Sequence, residues 1–126
     1  MCPLRRAQQI GFDPMSISVQ ALDGIHGRSV VGMRVGLEKH EDGVWSVVAK
    51  AKTDGTGGIG AWDTQHLTRG LYRIVFDSDY YFVGLGLSAP YPEINVLFRI
   101  RDDLDAYRIQ VLISPYSYSI FCGSQD

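Results

Sequence analysis

Gly70-Leu71-Tyr72-Arg73-Ile74-Val75-Phe76 is the clearest strand in the chain, seven residues dominated by β-branched, aromatic and other apolar types. Working outward, the same short-strand grammar recurs on both sides. Upstream lie Ser16-Ile17-Ser18-Val19-Gln20-Ala21-Leu22, Met33-Arg34-Val35-Gly36-Leu37-Glu38 and Trp45 to Lys52, the first two alternating with period two. Asp23-Gly24 and Glu41-Asp42-Gly43 supply turns between them. A flexible connection, Asp54-Gly55-Thr56-Gly57-Gly58, leads to a short stretch from Ile59 to Trp62 that reads as a fourth strand. Downstream come Glu93 to Arg101, Ala106 to Ile113 and Ser117 to Cys122. Eight short strands separated by turns predict an all-β sandwich rather than a βαβ fold. One segment breaks the pattern. Asp77-Ser78-Asp79 can cap a first helical turn, and Gly84 and Gly86 can stop it, so a single short helix is predicted between the fifth and sixth strands.

Composition narrows the function classes. At 126 residues the chain is the size of one domain and should bury about two-thirds of its unfolded surface. Two cysteines, Cys2 and Cys122, are too few for a disulfide scaffold, and no His pair has metal-ligand spacing, so neither a metal nor another cofactor is expected. Twelve basic against fourteen acidic residues, with no basic run, argue against a nucleic-acid partner. No apolar run approaches the ~20 residues of a membrane span, so no membrane partner is expected either. Residues 1–15 read as a mobile N-terminal extension, with Met15 an alternative start, and residues 16–126 as the domain. The first fourteen residues lack the apolar stretch of a secretory signal, which leaves the cytoplasm as the expected location.

Four segments carry a family resemblance: Ser18-Val19-Gln20-Ala21-Leu22-Asp23, Gly70 to Asp77, Tyr91-Pro92-Glu93, and above all Leu112-Ile113-Ser114-Pro115-Tyr116-Ser117-Tyr118-Ser119. From about residue 16 to 124 the chain resembles the transthyretin family, which includes the 5-hydroxyisourate hydrolases and the vertebrate thyroid-hormone carrier. The resemblance implies a transthyretin-like fold: two four-stranded sheets, one short helix, and a homotetramer whose paired subunits enclose a channel holding ligand or active sites. It also exposes departures. Where the hydrolases have a His before Val-Leu-Asp, this chain has Gln20; where they have an Arg after Gly, Gly57 is followed by Gly58. Their His-Tyr-His-Ile-Pro is matched by Ala106-Tyr107-Arg108-Ile109-Gln110, and their terminal Tyr-Arg-Gly-Ser by Phe121-Cys122-Gly123-Ser124.

Those substitutions change the available chemistry. Gln20 does not titrate and Arg108 stays protonated, so neither replaces a His as general base. Ordinary 5-hydroxyisourate hydrolysis is therefore expected to be weak or absent. Strand parity places Ser18, Gln20 and Leu22 on one face, Arg108, Gln110 and Leu112 on another, and Ser117, Ser119 and Phe121 on a third. By resemblance these sets meet at the channel, while Val19, Ala21, Ile109, Val111, Ile113, Tyr118 and Ile120 suit the core. Arg108 and Gln20 are then the candidate catalytic residues. Gln110, Leu22, Leu112, Ser119, Phe121, Gly58, Cys122 and Ser124 are candidate substrate-binding residues. Plainer roles stand beside these. Arg108 can pair with Asp103, Asp105 or a neighbouring subunit, Gln20 and Gln110 can bridge subunits, and Cys122 can serve as a small hydrophobe. His26, His40 and His66 read as loop residues, and Trp45 and Trp62 as packing residues. Three functions remain open: an enzyme of cyclase, isomerase or lyase type acting on a small molecule, a non-catalytic small-molecule binder, and a hydrolase with relocated groups such as Cys122 or Ser124.

Overall fold

The computed structural model describes residues 16–59, 62, 67–101 and 106–124. The predicted extension at 1–15 lies outside them, as do His66 and the proposed Arg108 partners Asp103 and Asp105. Among the described residues, eight strands form two four-stranded sheets. The first has the order β2 (Arg28–Ser29), β1 (Ser16–Asp23), β7 (Ala106–Ser114), β8 (Ser117–Ser124). The second has the order β4 (Val44–Lys52), β3 (Arg34–Glu41), β5 (Gly70–Phe76), β6 (Ile94–Ile100). All ladders are antiparallel except β1 with β7, which run parallel. Among the described residues the fold is thus an all-β sandwich with one short helix, as the strand count and turn spacing predict.

Alternation decides which face of each strand is buried. Ile17, Val19 and Ala21 of β1 and Ile109, Val111 and Ile113 of β7 meet Val35, Leu37, Tyr72, Ile74, Phe76 and the alternate residues of β6. Each of these is no more than 7% exposed, so the space between the sheets is closed. The β3–β4 hairpin turns on Asp42 (φ 53°) and Gly43 (φ 80°), the two positive dihedrals that a tight primed turn requires. Helix α1 (Ser78–Gly84) begins as expected: the Asp77 carboxylate accepts from the Tyr80 amide at 3.3 Å. Beyond its end Gly86 adopts φ 74°. Phe82 of α1 is fully buried against the core.

Several expectations are corrected. Ile59 and Trp62 lie outside strands; only Gly58 makes an isolated bridge, to Gln20. Both side chains still pack on the core, and the Trp62 indole donates to the Ile17 carbonyl at 3.4 Å. The eighth strand is instead Arg28–Ser29, within what reads in sequence as a turn, because Leu22 pairs with Ser29 and Asp23 with Arg28. His40 belongs to β3, its ring edge-on to Trp45 at 5.0 Å. Tyr118 is 45% exposed on the edge strand β8, against Tyr91, rather than in the core.

Candidate functional site

The outward face of the β2-β1-β7-β8 sheet carries the substituted positions in three lateral rows. Ser18, Arg108 and Gly123 are opposite one another; Gln20, Gln110 and Phe121 form the next row; Leu22, Leu112 and Ser119 the third. The parallel β1–β7 ladder produces these rows, because equal steps along two strands running the same way keep like positions together. Two residues far apart in sequence therefore meet within one chain. The Gln110 side-chain amide donates to Gln20 Oε1 at 3.1 Å, and Gln20 Nε2 donates to the Thr56 carbonyl at 3.1 Å. Both glutamines are consequently held in one orientation.

The loop after β4 completes this site. Ala21 donates its amide to the Gly57 carbonyl at 2.8 Å, and the Gly58 bridge to Gln20 continues the contact. Gly57 sits at φ 82°, and a Cβ there would lie 2.4 Å from the Ala21 carbonyl, so only glycine lets the loop approach this closely. Asp54 braces the turn: one carboxylate oxygen accepts from the Thr56 amide at 2.8 Å, the Thr56 hydroxyl at 2.7 Å and the Gly58 amide at 3.3 Å. The Thr56 hydroxyl, then the two amides, hold the Asp54 carboxyl below the usual carboxylate range against a smaller opposing push from burial.

A groove of about 500 Å³ results, lined by Ser18, Gln20, Asp54, Thr56, Gly58 and Arg108. No hydrogen bond or ion pair joins the Arg108 guanidinium to another described residue. A neighbouring depression of about 260 Å³ holds Gln110, Leu22, Leu112, Ser119 and Phe121. Leu112 and Phe121 are 47% and 55% exposed there, two large apolar side chains left uncovered on one face. The Phe121 ring lies over Gly123, where a Cβ would come within 3.0 Å of it.

Eight of the ten sequence-predicted site residues thus line two adjoining hollows. The other two stand apart. Cys122 pairs with the buried Ile109, which puts it on the opposite face of the sheet from Arg108, and burial pushes its thiol up. Ser124 is opposite Tyr107 in the ladder, at the end of β8. The sequence reading missed Asp54 and Thr56 as groove residues. The Asp-Gly-Thr-Gly-Gly composition marked the loop, but nothing local marked where the loop lands.

His26 is no simple solvated residue. Its Nδ1 lies 2.8 Å from Asp23 Oδ2, which also accepts from the Tyr81 hydroxyl at 2.7 Å, while Oδ1 accepts from the amides of Ile25 and His26. Asp23 is 1% exposed. Burial alone would raise its carboxyl, but the bonds from Tyr81 and His26 outweigh that and hold it down at about 2. Among the described residues no group of three or more His, Cys, Asp or Glu side chains could hold a metal, and no helix is long and apolar enough to cross a membrane.

Comparison with known proteins agrees with this architecture. Residues 17–123 match the model of the HIUase/Transthyretin family. The 5-hydroxyisourate hydrolases of Salmonella typhimurium and Salmonella typhi are each 35% identical over 109 residues, 86% of this chain and 80% of theirs. Transthyretin from Sparus aurata superposes with a TM-score of 0.82 at 26% identity, covering 87% of this chain and 97% of its own. Sea bream transthyretin in complex with thyroxine gives the same score and identity over 86% and 95%. Strand order, parallel β1–β7 pairing and sequence alike lead to one assignment: the chain belongs to the HIUase/Transthyretin family.

Proposed function

We propose that this protein is an enzyme of small-molecule ring chemistry, of cyclase, isomerase or lyase type, with its site on the outward β1-β7-β8 face. The observation that carries the reading is the Arg108 guanidinium, joined to no other described residue and sharing a groove with a Gln20 whose orientation Gln110 and Thr56 fix. A positioned cation can stabilise charge growing on an oxygen, and oriented amides can hold a carbonyl or hydroxyl. Its substrate is a small unsaturated compound with an anionic or carbonyl oxygen for Arg108 and an N–H or O–H donor for Asp54. Apolar parts of the same ligand lie along Leu22, Leu112 and Phe121.

Proton abstraction is the weak point of this groove. Gln20 does not accept a proton, the Arg108 guanidinium offers only hydrogen-bond donors, and Asp54 is held ionised as a poor base. Hydrolysis as performed by the related 5-hydroxyisourate hydrolases is therefore expected to be slow here. The ultraviolet decay of freshly prepared 5-hydroxyisourate tests this: a rate near that of the Salmonella enzymes would overturn it. Relocation of the chemistry to Cys122 has little support, since that thiol is on the other face with its ionisation suppressed.

A second reading is a non-catalytic carrier, which the thyroxine complex of a structural neighbour favours. Arg108 would then anchor a carboxylate or phenolate. Comparing wild type with Arg108→Ala separates the two: lost turnover marks an enzyme, whereas weakened affinity with no turnover to lose marks a carrier. In either case we place the site at a homotetramer channel, with Leu112 and Phe121 covered by a second copy. Elution at the monomer mass in gel filtration would remove the channel. The cytoplasm remains the proposed location.

A further inference from the structure

The opposite side of the molecule holds a second hollow that this chemistry does not use. A trough of about 720 Å³ crosses the outward face of the β4-β3-β5-β6 sheet. Its floor is Gly36 and Val75, adjacent in the β3–β5 ladder. Glycine makes the depression: a Cβ at position 36 would meet nothing within 4 Å.

Both ends of the trough are closed by charges that satisfy each other. At one end Arg34 lies 3.8 Å from the Asp77 carboxylate with its guanidinium 4.0 Å from the centre of the Tyr80 ring. At the other, Nε and Nη2 of Arg73 both donate to Glu38 Oε1 at 2.7 Å. The side walls differ. Lys50 and Lys52, exposed on β4, form no ion pair with any described residue. Across the trough Asp79 and Glu93 form none either, Glu93 only accepting from the Asn95 amide at 3.1 Å. Among the described residues, one wall is thus a pair of cations and the other a pair of carboxylates, none of them in an ion pair. Glu93 immediately precedes β6 and Asp79 lies on α1 beside it, and three strand spacings, or roughly 14 Å, separate β4 from β6.

We propose that this trough binds an elongated zwitterion of about tripeptide length, its carboxylate toward Lys50 and Lys52 and its ammonium toward Asp79 and Glu93. An extended tripeptide spans roughly 10 Å, which the inward reach of four side chains bridges to the wall spacing. A simple anion would be attracted to one wall and repelled by the other, as would a simple cation. A ligand charged at both ends matches both walls. Val75 offers apolar contact to its middle, and Pro92 does so beside the carboxylate wall.

Titrating the isotope-labelled full chain with triglycine, N-acetyl-triglycine and triglycine amide tests the proposal by NMR. Triglycine should give saturable shifts at Gly36, Val75 and Lys50, and blocking either terminus should weaken binding roughly fivefold. The Lys50→Glu/Lys52→Glu double variant should weaken it about tenfold, both positions being exposed enough to leave the fold intact. Gly36→Val should abolish the shifts, since the new side chain fills the floor without a clash. No saturable shifts with triglycine, or shifts indifferent to both terminal blocking and charge reversal, would overturn it.

Discussion

Asp23 and Arg108 are charged groups flanking the two ends of one strand, β1, and they are treated in opposite ways. Asp23 is buried and every near position on its carboxylate is filled, by Tyr81, the His26 ring and two amides. Arg108, beside Ser18 on the outward face, is exposed and joined to no described partner. A saturated buried charge ties the β1–β2 turn to α1 and has nothing left for a ligand. An unsaturated exposed one contributes nothing to the fold that its removal would expose. The two charges are therefore told apart by their described partners, and mutation can break or sharpen that contrast.

The largest effect should come at Arg108. In Arg108→Ala the turnover of a responsive substrate should fall about 10²–10³-fold, the usual cost of removing one well-placed donor to a developing charge. Stability to urea should stay within about 0.5 kcal/mol of wild type. A large loss of stability would instead make Arg108 structural and erase the contrast. Asp23→Ala should do the reverse, costing about 3 kcal/mol by leaving buried donors without an acceptor. Urea midpoints measure it. The same residue sets a pH window. With its carboxyl at about 2 instead of 3.8 in the fold, Asp23 stabilises fully above 3.8 and loses that contribution as pH falls toward 2. The loss is on the order of 2 kcal/mol and should be missing from the alanine variant.

Where the sequence was readable, the reason was periodicity enforced by a closed core. Val19, Ala21, Ile109, Val111 and Ile113 alternate because one residue of slip would turn them to solvent. The Asp77 cap and the Asp42-Gly43 turn are local chemistry, and they too could be read. What could not be read is set by long-range approach. Arg28–Ser29 becomes a strand only because Leu22 and Asp23 lie beside it, and Ile59 with Trp62 pack on the core without a ladder. Asp54 and Thr56 reach the groove because Gly57 docks on Ala21, thirty-six positions away in sequence, which no pattern encodes. The placement of Cys122 needed no such knowledge: alternation from Ser119 and Phe121 already assigns it to the other face.

That docking gives the third prediction. Gly57→Ala places a side chain on a backbone at φ 82° and drives it toward the Ala21 carbonyl, so a cost of about 2 kcal/mol is expected. The loop would also withdraw the Thr56 carbonyl from Gln20, so binding at the groove should weaken along with stability. Thermal unfolding and ligand titration on the same sample would show both. An unchanged affinity would mean that the loop holds the fold but not the glutamine.

The smallest effect probes the saturated end from its outer partner. Burial, reinforced by the bond to Asp23 and its charge, pushes the Tyr81 phenol up to about 12, with Arg28 pulling the other way. Since the neutral phenol is the form the fold prefers, its contribution is complete below 10 and is lost as pH rises from 10 toward 12. Tyr81→Phe removes one hydrogen bond to a carboxylate that keeps the His26 ring and two amides, so the cost near neutral pH should be about 1 kcal/mol. The difference between the two proteins should then shrink through the alkaline range, because only the wild type has a proton to lose there. Urea denaturation at neutral pH and in that range measures both quantities. Equal stability of the two proteins at both pH values would mean that Tyr81 supports α1 by packing alone, and that Asp23 is held by the turn of β1 without help from the helix.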